Sequence, residues 1–170
     1  MIRKSLFAAL ILAVALPASG AWAQAQQLPA AIAVSGATTV ATFHGVGAQI
    51  YECKADPKGK LTWTFREPIA ALVQDGKTVG RHYAGPTWED NDGSKIVGKA
   101  SGNAPGATAN DVPWLKLDVV DKSGNGVLSN VTTVQRINTK GGAAKGACKT
   151  AGELRSVPYS ADYVFLGKGS

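Results

Sequence analysis

Apolar and polar residues alternate along most of this chain with a period of two, the signature of strands that bury one face. The clearest run is Leu61-Thr62-Trp63-Thr64-Phe65-Arg66, in which Leu61, Trp63 and Phe65 share one face and Thr62, Thr64 and Arg66 the other. Further strands are expected at 40–43 and 48–53, separated by Gly45-Val46-Gly47, and at 78–83, 95–99 and 115–120. The β-branched run 131–137 is another, and 159–166 is the last, with Tyr159, Ala161, Tyr163 and Phe165 on one face. Turn chemistry punctuates the strands at Asp56-Pro57-Lys58-Gly59, Asp75-Gly76, Asp92-Gly93 and 121–126, where Pro presets its own φ and Gly accepts a positive one. Residues 69–74 would allow a helical turn but are too few to assign. The Gly-, Ala- and Asn-rich stretch 100–110 reads as a mobile loop or a lid, and 138–153 as a loop that carries Cys148. The expected fold class is all-β: a single-domain antiparallel sandwich or barrel of about eight to ten short strands over residues 38–170.

The start of the chain follows a different rule. Arg3 and Lys4 precede an apolar run over 6–16 and then Ala21-Trp22-Ala23, the pattern of a secretory signal peptide cleaved after Ala23, with Ala25 as the second choice. That run is shorter than the roughly 20 residues a membrane-spanning helix needs, and no later stretch is longer and equally apolar. The expectation is therefore an exported protein, periplasmic or extracellular, without stable membrane insertion, in which residues 24–37 form a flexible leader. The chain has 18 basic and 12 acidic side chains, and loss of Arg3 and Lys4 leaves 16 against 12. So mild a positive balance suits anionic envelope polymers, but the lysines are scattered through turns and make no nucleic-acid surface. The two cysteines, Cys53 and Cys148, are expected to form one disulfide in an oxidising compartment, worth about 4–5 kcal/mol in the chain-entropy account. No C-x-x-C occurs, and with only two histidines no metal site or cofactor is expected.

Candidate chemistry gathers between His82 and Ser94. His82 can act as a general acid or base, or ligate a metal, if the Gly85-Pro86 turn brings Glu89, Asp90 or Asp92 back to it; the alternative is a strand histidine with one hydrogen bond. His44, at an expected strand end, has the weaker claim. Asp90-Asn91-Asp92-Gly93-Ser94 has the oxygen content of a calcium loop but not the spacing of one, and Asx-rich turns mostly serve to turn the chain. Trp63 is expected in the core, whereas Trp88 and Trp114 follow prolines beside loops, where an aromatic platform for a sugar ring or an apolar ligand would sit. Arg136 can be a buried ion-pair partner or an anion anchor. Standard hydrolase, zinc-protease and nucleotide-binding strings are absent.

Five motifs in order resemble the DUF3455 family of exported bacterial and fungal proteins. They are Gly47-Ala48-Gln49-Ile50-Tyr51-Glu52-Cys53, then Pro86-Thr87-Trp88 with Asp92-Gly93-Ser94, then Val112-Pro113-Trp114-Leu115, then Val134-Gln135-Arg136-Ile137-Asn138-Thr139, and Gly141-Gly142 with Cys148. The resemblance covers nearly all of the chain after the leader; it implies one exported domain and assigns no catalytic residue. The leading functional expectation is binding of a small molecule or envelope component at a pocket lined by His82, Trp88, Trp114 and Arg136. The alternatives are an enzyme that uses His82 with Asp90 or Asp92 as acid and base, and a surface-interaction protein without a pocket.

Overall fold

The structure, a computed structural model, describes residues 28–169; the expected signal peptide and its cleavage site lie outside the described residues. Eight strands follow one another: β1 (Ala37–Ala55), β2 (Leu61–Gln74), β3 (Lys77–Tyr83), β4 (Thr87–Asp90), β5 (Lys95–Ala104), β6 (Trp114–Ser123), β7 (Val131–Gly141) and β8 (Leu154–Lys168). Each pairs antiparallel with the next, and β8 returns to β1, so the sheet closes into an up-and-down barrel. Closure decides between the sandwich and the barrel that the alternation left open. It also removes the free strand edges an open sheet would expose.

Several strands run longer than the alternation suggests, each for a packing reason. Gly45 and Gly47 do not break β1. They face inward, and a Cβ at Gly47 would sit 2.0 Å from the Ile69 carbonyl oxygen, so glycine is there to let two strands and a ring approach closely. Residues 69–74 form no helical turn but complete β2, with Pro68, Ala70 and Leu72 buried. Residues 100–104 of the expected loop pair instead with the start of β6. The Asp75-Gly76 turn is as expected, with both residues at positive φ. Part of the expected leader is packed: Ile32 is fully buried, and its carbonyl accepts a hydrogen bond from Gln135 Nε2 at 2.6 Å.

The core is the barrel interior. Phe43, Leu72, Trp88, Ile96, Leu117, Val134, Tyr163 and Phe165 fill it, while outward positions such as Thr42, Arg81, Lys99 and Asp118 are polar. Val46, Ile69 and Val120 are exposed among these outward positions, but a packed apolar interior is the reverse of the polar lumen of a membrane-spanning barrel. Among the described residues no helix is long and apolar enough to cross a membrane.

Up-and-down topology puts the β2–β3, β4–β5 and β6–β7 connections at one end and the β3–β4, β5–β6 and β7–β8 connections at the other. The first end is sealed. Leu128 is fully buried there, and Asp92 joins the β4–β5 turn to the β6–β7 connection through the Val127 N–H at 2.7 Å. Beyond the second end the β1–β2 hairpin projects past the barrel wall. Trp63, expected in the core, lies on this projection: it is half-buried because no wall faces it, and the Arg155 guanidinium sits 5.6 Å above its ring. The Cys53–Cys148 disulfide ties the long β7–β8 connection to the same projection.

Gly47→Ala is expected to lower stability by about 1–3 kcal/mol, a fall of several degrees in Tm, because the added methyl meets backbone. Gly59→Ala, in the exposed β1–β2 turn, removes a glycine at φ +78° and meets no neighbour. It should cost about 1 kcal/mol from backbone strain alone. Thermal melts check both, and a Gly47→Ala protein as stable as the unsubstituted one would contradict the packing described.

Candidate functional site

The inner wall near the second end is built from one row of paired residues. Register places Tyr159 beside Gly47, Gly47 beside Ala70, Ala70 beside His82, His82 beside Trp88, and Trp88 beside Ile96. Inward side chains at directly opposed positions lie about 4.5–5.5 Å apart at Cβ. The two smallest members, Gly47 and Ala70, therefore stand next to the Tyr159 and His82 rings and leave room for them. Trp88 lies flat on His82 with ring centroids 4.5 Å apart and planes 10° apart, and Tyr163 meets both rings at steep angles. On its other side the indole covers Gly98, where a Cβ would come within 2.9 Å of the ring.

Above this stack lies a cavity of about 390 Å³, within the range of small-molecule sites. His82, Trp88 and Tyr163 form its floor, Leu115, Leu117 and Pro68 its apolar sides, and Phe65, Arg66 and Arg136 its rim. Phe65 is half-exposed, which places the mouth of the cavity at the foot of the projecting hairpin. The Arg136 guanidinium is fixed by two hydrogen bonds, from Nε at 3.2 Å and Nη2 at 2.9 Å, to the Pro113 carbonyl.

His82 is 3% exposed, and its Nδ1–H donates to the Thr87 carbonyl at 2.8 Å. Burial pushes its pKa down to about 3, against a smaller opposing effect of the Thr87 bond and with a further push from the Arg136 charge. At neutral pH the ring is therefore uncharged. With Nδ1 committed as a donor, Nε2 carries the lone pair. Burial likewise holds the Tyr163 phenol well above its ordinary range, so it stays protonated.

The structure brings together three of the four residues expected to line a pocket. His82, Trp88 and Arg136 meet in the cavity; Trp114 does not. Leu115 and Leu117 point inward on β6, so Trp114, one residue earlier, points outward. It lines a separate surface groove with Asp111, His44 and Asp162. There the His44 Nδ1 lies 2.7 Å from Asp162 Oδ1, and Asn138 Nδ2 donates to the other Asp162 oxygen at 2.9 Å. His44 thus faces out and His82 in, and the two cannot share a metal ion. Among the described residues no group of three or more His, Cys, Asp or Glu side chains is placed to hold one.

Asp90 and Asp92, expected as partners of His82, belong to the sealed end of the barrel. Asp90 accepts from the Asp92 N–H at 2.9 Å, and Asp92 accepts from the Ser94 hydroxyl, the Ser94 N–H and the Val127 N–H. Those bonds, the Ser94 hydroxyl foremost, hold the Asp92 carboxyl below its usual range. Glu89 faces outward and is held by Arg81 and Tyr83. Among the described residues no carboxylate lines the cavity. Phe65, Leu115, Leu117 and Tyr163 were not singled out as site residues. Their alternation marks a buried face, but a face toward a cavity and a face toward packed core have the same period.

Compared with known protein families, residues 34–167 match the family described as "Protein of unknown function (DUF3455)". No curated protein and no solved structure matches the chain.

The buried neutral histidine makes stability depend on pH. Its folded pKa lies below the unfolded value near 6.5, so the unfolded chain binds a proton that the folded one refuses, and stability falls as pH drops from about 7 toward 3. Between pH 7 and 4.5 this one group should remove about 2–3 kcal/mol. His82→Phe keeps a ring against Trp88 and takes no proton, so urea unfolding at the two pH values should show a smaller acid loss in the variant. Equal losses in both proteins would refute the assignment.

Proposed function

This chain belongs to the DUF3455 family, whose match covers its barrel almost end to end, and we propose that the barrel is a binding module that takes a small, largely apolar molecule into the cavity above Trp88. One observation carries the reading: an eight-stranded barrel has an interior that side chains can just fill, yet here the filling stops at the His82–Trp88 stack and leaves a mostly apolar cavity at one end. The aromatic floor offers a flat, rigid contact surface at low entropic cost. Charge chemistry of the acid–base kind has less support, since the only imidazole in the cavity is held neutral and no carboxylate stands beside it.

Export is part of the same proposal. The Cys53–Cys148 disulfide fits an oxidising compartment, as does the signal peptide expected at residues 1–23. The polar outer wall supports a protein that meets its ligand in water or at an envelope surface rather than within a bilayer.

The neutral apolar dye N-phenyl-1-naphthylamine is expected to bind the purified protein at one site with a rise in its fluorescence. Ala100 lines the cavity and is exposed, so Ala100→Trp fills the space without disturbing the core. That variant should lose dye affinity about tenfold or more at unchanged Tm, whereas Trp114→Ala, in the outer groove, should keep it. Retained binding in Ala100→Trp, or loss in Trp114→Ala, would remove the cavity as the site.

A further inference from the structure

We infer that the molecule taken into this cavity ends in a single carboxylate, which docks on Arg136 at the rim while its apolar body lies over Trp88. The inference rests on the binding role proposed above and specifies the ligand class.

The charges around the cavity are one-sided. Among the described residues two guanidinium groups, Arg66 and Arg136, line it, and no acidic side chain does. Arg66 is neutralised locally by Glu67, with Nε 3.2 Å from the carboxylate. Arg136 has no acidic partner among the described residues. Its hydrogen bonds run to a backbone carbonyl, which fixes the plane of the guanidinium and leaves its charge uncompensated. Set at the rim beside apolar walls, this guanidinium is already oriented for a planar anionic partner.

A second, independent observation is the indole N–H of Trp88. This side chain is 1% exposed and lines the cavity, and its Nε1 is buried with no acceptor among the described residues. Buried donors are nearly always paired. Gln49 Nε2 and Trp114 Nε1 are also buried without partners among the described residues, but of the three residues Trp88 alone lines the cavity. Its N–H is therefore the donor placed to meet an acceptor that comes with the ligand. The cavity thus supplies a fixed guanidinium and a spare N–H donor on an otherwise apolar surface. Two carboxylate oxygens match that donor set. A phosphate, with more oxygens and more charge, would leave several unpaired against Leu115, Leu117 and Phe65.

The test is calorimetric titration of the full protein with straight-chain and phenyl-terminated carboxylic acids of four to twelve carbons, each paired with its amide. At pH 7.5 at least one acid should bind about tenfold or more tightly than its amide, the usual worth of a charge-assisted hydrogen bond, and added salt should shrink the difference. Arg136→Gln should bring the acid down to the affinity of the amide and leave the amide unchanged, while Arg66→Gln should keep the preference. Should Arg136→Gln fail to fold, the acid–amide ratio and its salt dependence in the unsubstituted protein decide alone. Equal affinity for acids and amides would overturn the carboxylate assignment and leave the binding role standing. A preference that survives in Arg136→Gln would overturn the role of that residue. If neither series binds and the neutral dye does not bind either, the binding role itself falls.

Discussion

The stacking of Trp88 on His82 governs how this barrel is filled. Two flat rings, held 4.5 Å apart and in register across β3 and β4, take up the width of an interior that has no spare volume at that level. On the His82 side the row is reduced to Ala70 and, next to it, Gly47, and Gly98 is bare beneath the indole. The Nδ1 bond to the Thr87 carbonyl fixes the imidazole, and the fixed imidazole fixes the indole. Small residues opposite large ones are what close packing requires where side chains from all sides converge. The same stack ends the core, and whatever lies above it is wall without filling.

This arrangement divides the barrel between two tasks. One end is sealed by Leu128 and by the acidic turn at 90–94, whose carboxylates spend their lone pairs on the N–H groups of Ser94 and Val127. The other end carries the projecting β1–β2 hairpin, the disulfide-tied connection and the cavity rim. A crosslink at the open end restrains long connections where the barrel core contributes least to holding them. The sealed end is thereby the stable base for a mouth whose walls are not fully packed.

The fold class was legible in the sequence because alternation survives any closure of the sheet, and the disulfide because two cysteines leave one pairing. Strand lengths were not. Gly45, Gly47 and the alanines of 69–74 are turn or helix signals read locally, but here they are small because large rings lie across from them, a fact of tertiary packing. The cavity lining was partly legible by chemical type: an imidazole, an indole and a guanidinium stood out and do meet. Trp114 shows the limit of this. Period two says that Trp114 and Leu115 face opposite sides, and only the closed sheet says which side is inside. His82 does not meet Asp90 or Asp92 for a topological reason, since residues eight to ten apart across a short hairpin can lie toward opposite ends of a barrel.

The account turns on one claim, that the space above Trp88 is a ligand site anchored by Arg136. A crystal structure of the protein grown with a saturating phenyl-terminated carboxylic acid tests it most directly. The account predicts one molecule in the cavity, its ring or chain over the indole, one carboxylate oxygen within about 3 Å of the Arg136 guanidinium and the other facing the Trp88 N–H. Density for the acid in the Trp114 groove, or a cavity closed by rearranged Phe65 and Leu115 with no acid in it, would contradict the claim.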